Sequence, residues 1–223
     1  MQRADEIRAG LESVEARIAA ACQRVGRSRE SVTLVAVTKT FPADAVDAVI
    51  AAGAKHVGEN RVQEARDKKP AVSSPAQWHL IGHLQSNKAK DAVRLFDVIH
   101  TVDTLGLAEK IARSAETSGK VQDVLIEVNI GREEQKAGAD PDDVVTLARD
   151  CSSFDGIRLR GVMAIPPVGP AEEMRPFFRD LRRLRDEARL VDLSMGMTDD
   201  FEVAIEEGST IVRVGRAIFG SRG

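Results

Sequence analysis

Eight short runs rich in β-branched and other apolar residues recur along the 223-residue chain, and each is separated from the next by a segment with helical spacing. The runs are VTLVAVT (32–38), HVGEN (56–60), WHLIGHL (78–84), DVIHTVD (97–103), VLIEVNI (124–130), LRGVMAI (159–165), DLSMGM (192–197) and TIVRVG (210–215). Between them, PADAVDAVIAAG, RVQEARDKK, SNKAKDAVRLF, TLGLAEKIARSAETSG, DPDDVVTLARDCSSF, AEEMRPFFRDLRRLRDEARL and DDFEVAIEEG read as amphipathic helices. In the sixth of these, Met174, Phe177, Phe178, Leu181, Leu184 and Ala188 share one face. Strict alternation implies parallel strands, because a parallel pair needs a crossover long enough to hold a helix. Eight such units can close on themselves and leave no sheet edge, so the expected fold is α/β, a single (β/α)8 TIM-type barrel. An open doubly wound sheet is the competing architecture, but no GxGxxG turn follows the first run.

An extra helix is expected ahead of the barrel. Ile7, Leu11, Val14, Ile18, Cys22 and Val25 recur at spacings of three and four, and Gly26 ends the pattern. One domain over 1–223 is therefore expected, with 1–31 as N-terminal helix and lead-in and 32–223 as barrel. With 43% hydrophobic and 30% charged residues, the chain lies far from the composition of disordered segments. A net charge of −3 offers nucleic acid no global positive field, so no nucleic-acid partner is expected. The opening MQRADEIRAGLESVEARIAA has no uninterrupted apolar region of signal-peptide type, and no stretch reaches the roughly 18 apolar residues of a membrane span. A cytoplasmic protein without membrane contact is the expectation. Cys22 and Cys151 fall in helical segments without CxxC spacing and read as buried thiols.

In a barrel, the C-terminal strand ends share one mouth, so polar residues there converge even when distant in sequence. Lys39 ends the first run; Glu59 and Asn60 end the second; Asn129 ends the fifth; Ser194, Gly196, Met197 and Thr198 end the seventh; Arg213, Gly215 and Arg216 end the eighth. A lysine in such a mouth can attack a carbonyl when its amine is neutral; the alternative is a side chain that merely snorkels to solvent. The loops after strands seven and eight of a barrel often hold phosphate on backbone N–H groups that open a short extra helix. VGRAIFGSRG suits that role, with Gly215 allowing close approach and Arg213 and Arg216 adding permanent charge. Asp199 and Asp200 read as first-turn acids of the following helix. A Schiff-base lysine opposite a phosphate cradle describes two ligands, a sugar phosphate in a class I aldolase or pyridoxal 5′-phosphate, and the residues alone leave both open.

The motifs VAVTKTFP, HVGENRVQEA, WHLIGHLQSNK, VNIGREEQKAG, RGVMAIPP and LSMGMTDDFEVAIEEGSTIVRVGRAIFG, taken together, resemble those of the pyridoxal phosphate homeostasis proteins. The resemblance runs from the N-terminal helix to the last residues. It implies a fold-type III barrel like the N-terminal domain of alanine racemase, and a carrier that binds, buffers or delivers the cofactor without a well-defined reaction. It further implies Lys39 as the internal aldimine, with segments 194–198 and 213–216 around phosphate and ring, Arg213 facing the pyridine nitrogen or the phosphate, and apo enzymes as recipients. Two positions depart from the family pattern: Arg61 replaces a usual tyrosine, and Arg216 replaces a small hydroxyl residue. Racemases of this fold use a tyrosine from an added C-terminal domain as second acid/base. This chain has no tyrosine and ends at residue 223, just after the expected barrel, so a racemase or an aldolase is only the alternative. A monomer is expected.

Four histidines, His56, His79, His83 and His100, fall at strand starts or ends. His79 and His83 are spaced to share a face, but a third zinc ligand is missing, so no metal is expected. His79 reads as mouth-lining or as a hydrogen-bonded core residue. Lys136 reads as a loop lysine that could otherwise relay the cofactor. The arginine-rich sixth helix interleaves acids with bases and reads as solvated surface.

Overall fold

The computed structural model describes residues 2–220; Met1 and residues 221–223 of the expected domain lie outside the described residues. The strands are β1 (Thr33–Val37), β2 (His56–Glu59), β3 (Gln77–Leu80), β4 (Val98–Val102), β5 (Gln122–Glu127), β6 (Ile157–Met163), β7 (Asp192–Ser194) and β8 (Ile211–Val214). All pairings are parallel and run in sequence order, and β8 pairs back onto β1 through Thr33↔Ile211 to Ala36↔Val214. That last pairing closes the barrel and excludes the open sheet.

The helices are α1 (Gln2–Arg24), α2 (Ala43–Ala51), α3 (Val62–Lys68), α4 (Ala89–Leu95), α5 (Leu105–Thr117), α6 (Val144–Cys151), α7 (Arg175–Glu187), α8 (Phe201–Glu206) and α9 (Arg216–Phe219). Outward strand residues such as Leu34, Ala36, Trp78, Leu80, Ile99 and Val212 pack beneath them. Inward residues Val35, Leu125, Met163 and Ile211 form a separate plug inside the barrel. Both faces of every strand are thus covered, which is why the runs look apolar throughout rather than alternating. Each fully buried aliphatic side chain contributes about 1.5–3 kcal/mol relative to exposure.

Some boundaries differ from the sequence reading, for local reasons. The third strand stops at Leu80 because the chain then crosses so close to Asn60 that a Cβ on Gly82 would lie 2.3 Å from the Asn60 carbonyl oxygen. The seventh stops at Ser194, as Gly196 turns with φ +95°. Val25 does not join the apolar face of α1: the helix ends at Arg24, Gly26 adopts φ +66°, and Val25 is 40% exposed. Phe177 of α7 and Ala188, just past its end, sit at the edge of the buried stripe that Phe178, Leu181 and Leu184 occupy. Both cysteines are buried and free. No described helix is long and apolar enough to cross a membrane.

The N-terminal helix is a brace for the barrel's last turn. Gly10 of α1 touches α9 so closely that a Cβ there would stand 2.5 Å from the Ile218 carbonyl oxygen. Replacing it should push α1 off α9. Gly10→Ala is expected to lower the thermal midpoint by several degrees, the effect of about 1–3 kcal/mol of overpacking, as measured by circular dichroism melting.

Candidate functional site

The loop leaving β1 is pinned from beneath. Thr38 is fully buried, and its hydroxyl donates to Glu59 Oε1 at 2.6 Å. Lys68 of α3 donates to that same oxygen at 2.5 Å and to the Thr38 carbonyl at 2.9 Å. Beyond Lys39, Thr40 takes φ +68°, held by its N–H donating to Glu64 Oε2 at 3.0 Å. A β-branched residue in that region carries strain of about 1–3 kcal/mol, which the anchoring offsets. Lys39 therefore starts from a rigid backbone, half-buried at the rim. Glu59, buried with its other oxygen lacking a hydrogen-bond partner, has its pKa raised by burial, with Lys68 and Thr38 opposing. Its position is a support for the loop, not the mouth itself.

On the opposite side of the β1–β8 seam, α9 begins directly after β8. The Gly215 carbonyl accepts from Ile218 and Phe219 N–H at 2.9 and 3.0 Å, so the first N–H groups of the helix have no partner within it. Phe219 stacks on Phe41 with ring centroids 4.7 Å apart, tying the two loops together. Arg213 is 3% exposed; it donates to Ser194 Oγ at 2.6 Å and to the Ala164 carbonyl at 3.0 Å. Burial pushes this guanidinium down to about 10, against the opposing pull of Asp200 and Glu127, so it stays charged at neutral pH.

Seven of the sequence-selected residues, Lys39, Asn60, Met197, Thr198, Arg213, Gly215 and Arg216, line one cavity of about 230 Å³, walled by Val37, Phe41, Ile81 and Ile165. Ser194 lies below it, bonded to Arg213. Gly196 is buried beside it and does not line it; a Cβ there would meet Ala204 Cβ at 2.7 Å, so its role is the turn. The Arg216 side chain swings to the rim and pairs with Asp199. Asp199 is thus not simply a first-turn acid, and Asp200, at the start of α8, accepts from the Met197 N–H behind it at 2.6 Å rather than capping the helix ahead.

Other candidates fall elsewhere. Asn129 organises its own loop, donating to the Glu133 carbonyl at 2.9 Å and accepting from Glu133 N–H at 3.0 Å. Lys136 pairs with Glu133 and donates to the Pro166 carbonyl at 3.1 Å, and it does not line the cavity. Exposed Arg61 borders a second cleft with Asn60, His83 and Lys88. His79 and His83 do not share a face, because the strand ends between them; His79 points into the barrel while His83 sits 3.6 Å from Asp103 at the surface. Among the described residues no cluster of three or more His, Cys, Asp or Glu could hold a metal ion.

Sequence reading missed Glu127 and Lys68. Glu127, an acid inside the apolar run VLIEVNI, ends β5 with one oxygen buried and without a hydrogen-bond partner. Burial, then Asp103, push its carboxyl up to about 7, with Arg213 opposing. Its parity with Leu125, an inward residue, was the available signal. Lys68 carried none, since only the fold brings α3 under the β1 loop.

A parallel eight-stranded barrel with a lysine just beyond β1 and a short helix after β8 defines the class of alanine-racemase-type barrels, and the family model for the alanine racemase N-terminal domain matches residues 10–223. The alanine racemase of Bartonella henselae superposes with a TM-score of 0.75 at 13% identity, covering 98% of this chain and 61% of that one, a likeness of fold. A pyridoxal phosphate homeostasis protein of Aquifex aeolicus is 43% identical over 220 residues, 95% of this chain and 96% of its own. PipY of Synechococcus elongatus, solved with pyridoxal phosphate bound, is 38% identical with a TM-score of 0.85, over 96% of this chain and all of that one (100%). The chain belongs to the pyridoxal phosphate homeostasis protein family.

The raised Glu127 carboxyl has a measurable consequence. Its ordinary value is 4.5 and its folded value about 7, so the folded protein binds the extra proton between those limits. Stability is therefore lost as pH rises through that window. Glu127→Gln should raise the thermal midpoint at pH 8 and leave it nearly unchanged at pH 4.5; an equal shift at both would remove burial of the charge as the cause.

Proposed function

We propose that this chain binds pyridoxal 5′-phosphate at the β1–β8 mouth and serves as an intracellular, cytoplasmic reserve that delivers it to apo enzymes, with little or no turnover of its own. The observation that carries this reading is the sharing of one cavity by Lys39, Arg213 and the opening turn of α9. The donor set fits the cofactor: an amine, a buried cation and an anion-accepting helix start, separated by apolar walls suited to a flat ring. When bound, the cofactor supplies an aldehyde for condensation and an electron-withdrawing pyridine ring.

Lys39 provides the amine that takes the aldehyde carbon. The N–H groups of Arg216 and Ala217, with the Thr198 hydroxyl, hold the phosphate. Asn60, Met197 and Gly215 border the ring, while Ser194 and Gly196 shape the floor. Arg213 faces the ring nitrogen and, being permanently cationic, disfavours a proton there, which weakens the ring as a sink for carbanion electrons. The 43% identity to a pyridoxal phosphate homeostasis protein over 95% of this chain favours a carrier over a racemase. The barrel works as a monomeric unit.

Purified protein should show the visible absorption of a lysine-bound pyridoxal group, and borohydride reduction with peptide mapping should mark Lys39; Lys39→Ala should lose both. A mark on Lys136 instead would overturn the assignment. Arg213→Gln should weaken cofactor retention roughly tenfold or more in equilibrium dialysis, the scale of a lost charged hydrogen bond. Incubation with L-alanine should yield D-isomer far below the ordinary enzymic range of about 1–10³ per second.

A further inference from the structure

The barrel interior contains a polar column unused by the site itself. His56, His79 and His100 project inward from successive strands β2, β3 and β4. His79 lies directly across from Gly58, two residues beyond His56; His100 lies two residues beyond Val98, the partner of His79. Steps of two keep all three on the inward face while advancing towards the mouth. His56 Nδ1 lies 3.0 Å from His79 Nε2, His79 Nδ1 lies 2.8 Å from His100 Nε2, and His100 Nδ1 lies 3.0 Å from Ser194 Oγ. Successive rings meet edge to face, with centroids 5.2 and 5.1 Å apart.

The direction of every hydrogen bond follows from one end. A guanidinium only donates, so Ser194 Oγ must accept from Arg213. The buried hydroxyl then has its own hydrogen to place, and its other partner is His100 Nδ1. That nitrogen is therefore bare and the His100 proton sits on Nε2, donated to His79 Nδ1. The same logic puts the His79 proton on Nε2, donated to His56 Nδ1, and leaves His56 Nε2–H for the half-buried N-terminal end of the barrel. A charged ring in this column would face burial first, then the neighbouring imidazole, and at His100 Arg213 as well; these hold His79 down at about 3 and His100 well below the usual imidazole range.

We propose that His100 and His79 are positioning residues for Arg213: the neutral column, every proton on Nε2, fixes the Ser194 hydroxyl as acceptor and so orients the guanidinium at the cavity floor. The effect on the cofactor rests on the function proposed above; the proton pattern and the order of Arg213 do not. A column that merely filled space would set neither.

The test uses full-length, cofactor-free protein with 15N-labelled histidine and arginine. Nitrogen NMR at neutral pH should show His79 and His100 with a protonated Nε2 and a bare Nδ1, and resolved, slowly rotating Nη protons for Arg213. His100→Leu, which removes the acceptor, should merge those Nη signals and weaken pyridoxal phosphate binding several-fold. His100→Asn, which restores an acceptor near Nδ1, should recover both, and thermal melting of the two variants controls for folding. A proton on His100 Nδ1, or Arg213 signals unchanged in a folded His100→Leu, would overturn the proposal. Failure of the wild-type protein to bind pyridoxal phosphate would instead refute the functional reading, since the arginine readout needs no cofactor.

Discussion

The pairing of β8 with β1 is the constraint on which the rest depends. It sets Ala36 beside Val214 and so brings the residues just beyond each strand, Lys39 on one side and Gly215 and Arg216 on the other, to one rim. Neither loop could hold the geometry alone. The β1 loop is strained at Thr40 and needs Glu59, Glu64 and Lys68 from the β2 end and α3. The start of α9 needs α1 behind it, pressed so close at Gly10 that no side chain fits. The N-terminal helix, remote from the mouth in sequence, thereby acts on the site through packing.

The second constraint is the cost of a buried guanidinium. Taking Arg213 out of water is tolerable only because its donors meet Ser194 and Ala164, and because Glu127 and Asp200 supply negative charge nearby. Burial raises the pKa of both acids, and Arg213 opposes that rise in each. The histidine column continues the same compensation across the barrel, converting what would be an apolar plug into a chain of satisfied polar groups. The interior is thus divided between Val35, Leu125, Met163 and Ile211 and a directional polar path.

Much of this was legible in the residues. The alternation of runs specified eight parallel strands and their order, and the strand ends supplied Lys39, Asn60, Thr198, Arg213 and Gly215 as mouth residues, because strand parity and connection rules are local and periodic. Strand lengths were less legible: Gly82 and Gly196 end β3 and β7 through a close approach and a left-handed turn that depend on neighbours. Side-chain direction escaped as well. Arg216 sits where a phosphate contact was expected, yet it pairs with Asp199 at the rim, and Lys136 turns to Glu133 and Pro166.

By itself, then, the sequence determined the number of strands, their parallel order and the lysine at the first strand end, since these follow from hydrophobic period and crossover length. Only the tertiary structure decided which charges would compensate Arg213, and that three histidines scattered over β2, β3 and β4 would form one column. The reason is that register between strands, set by closure of the barrel, is a property of all eight together. Residues distant along the chain become hydrogen-bond partners only once that stagger exists.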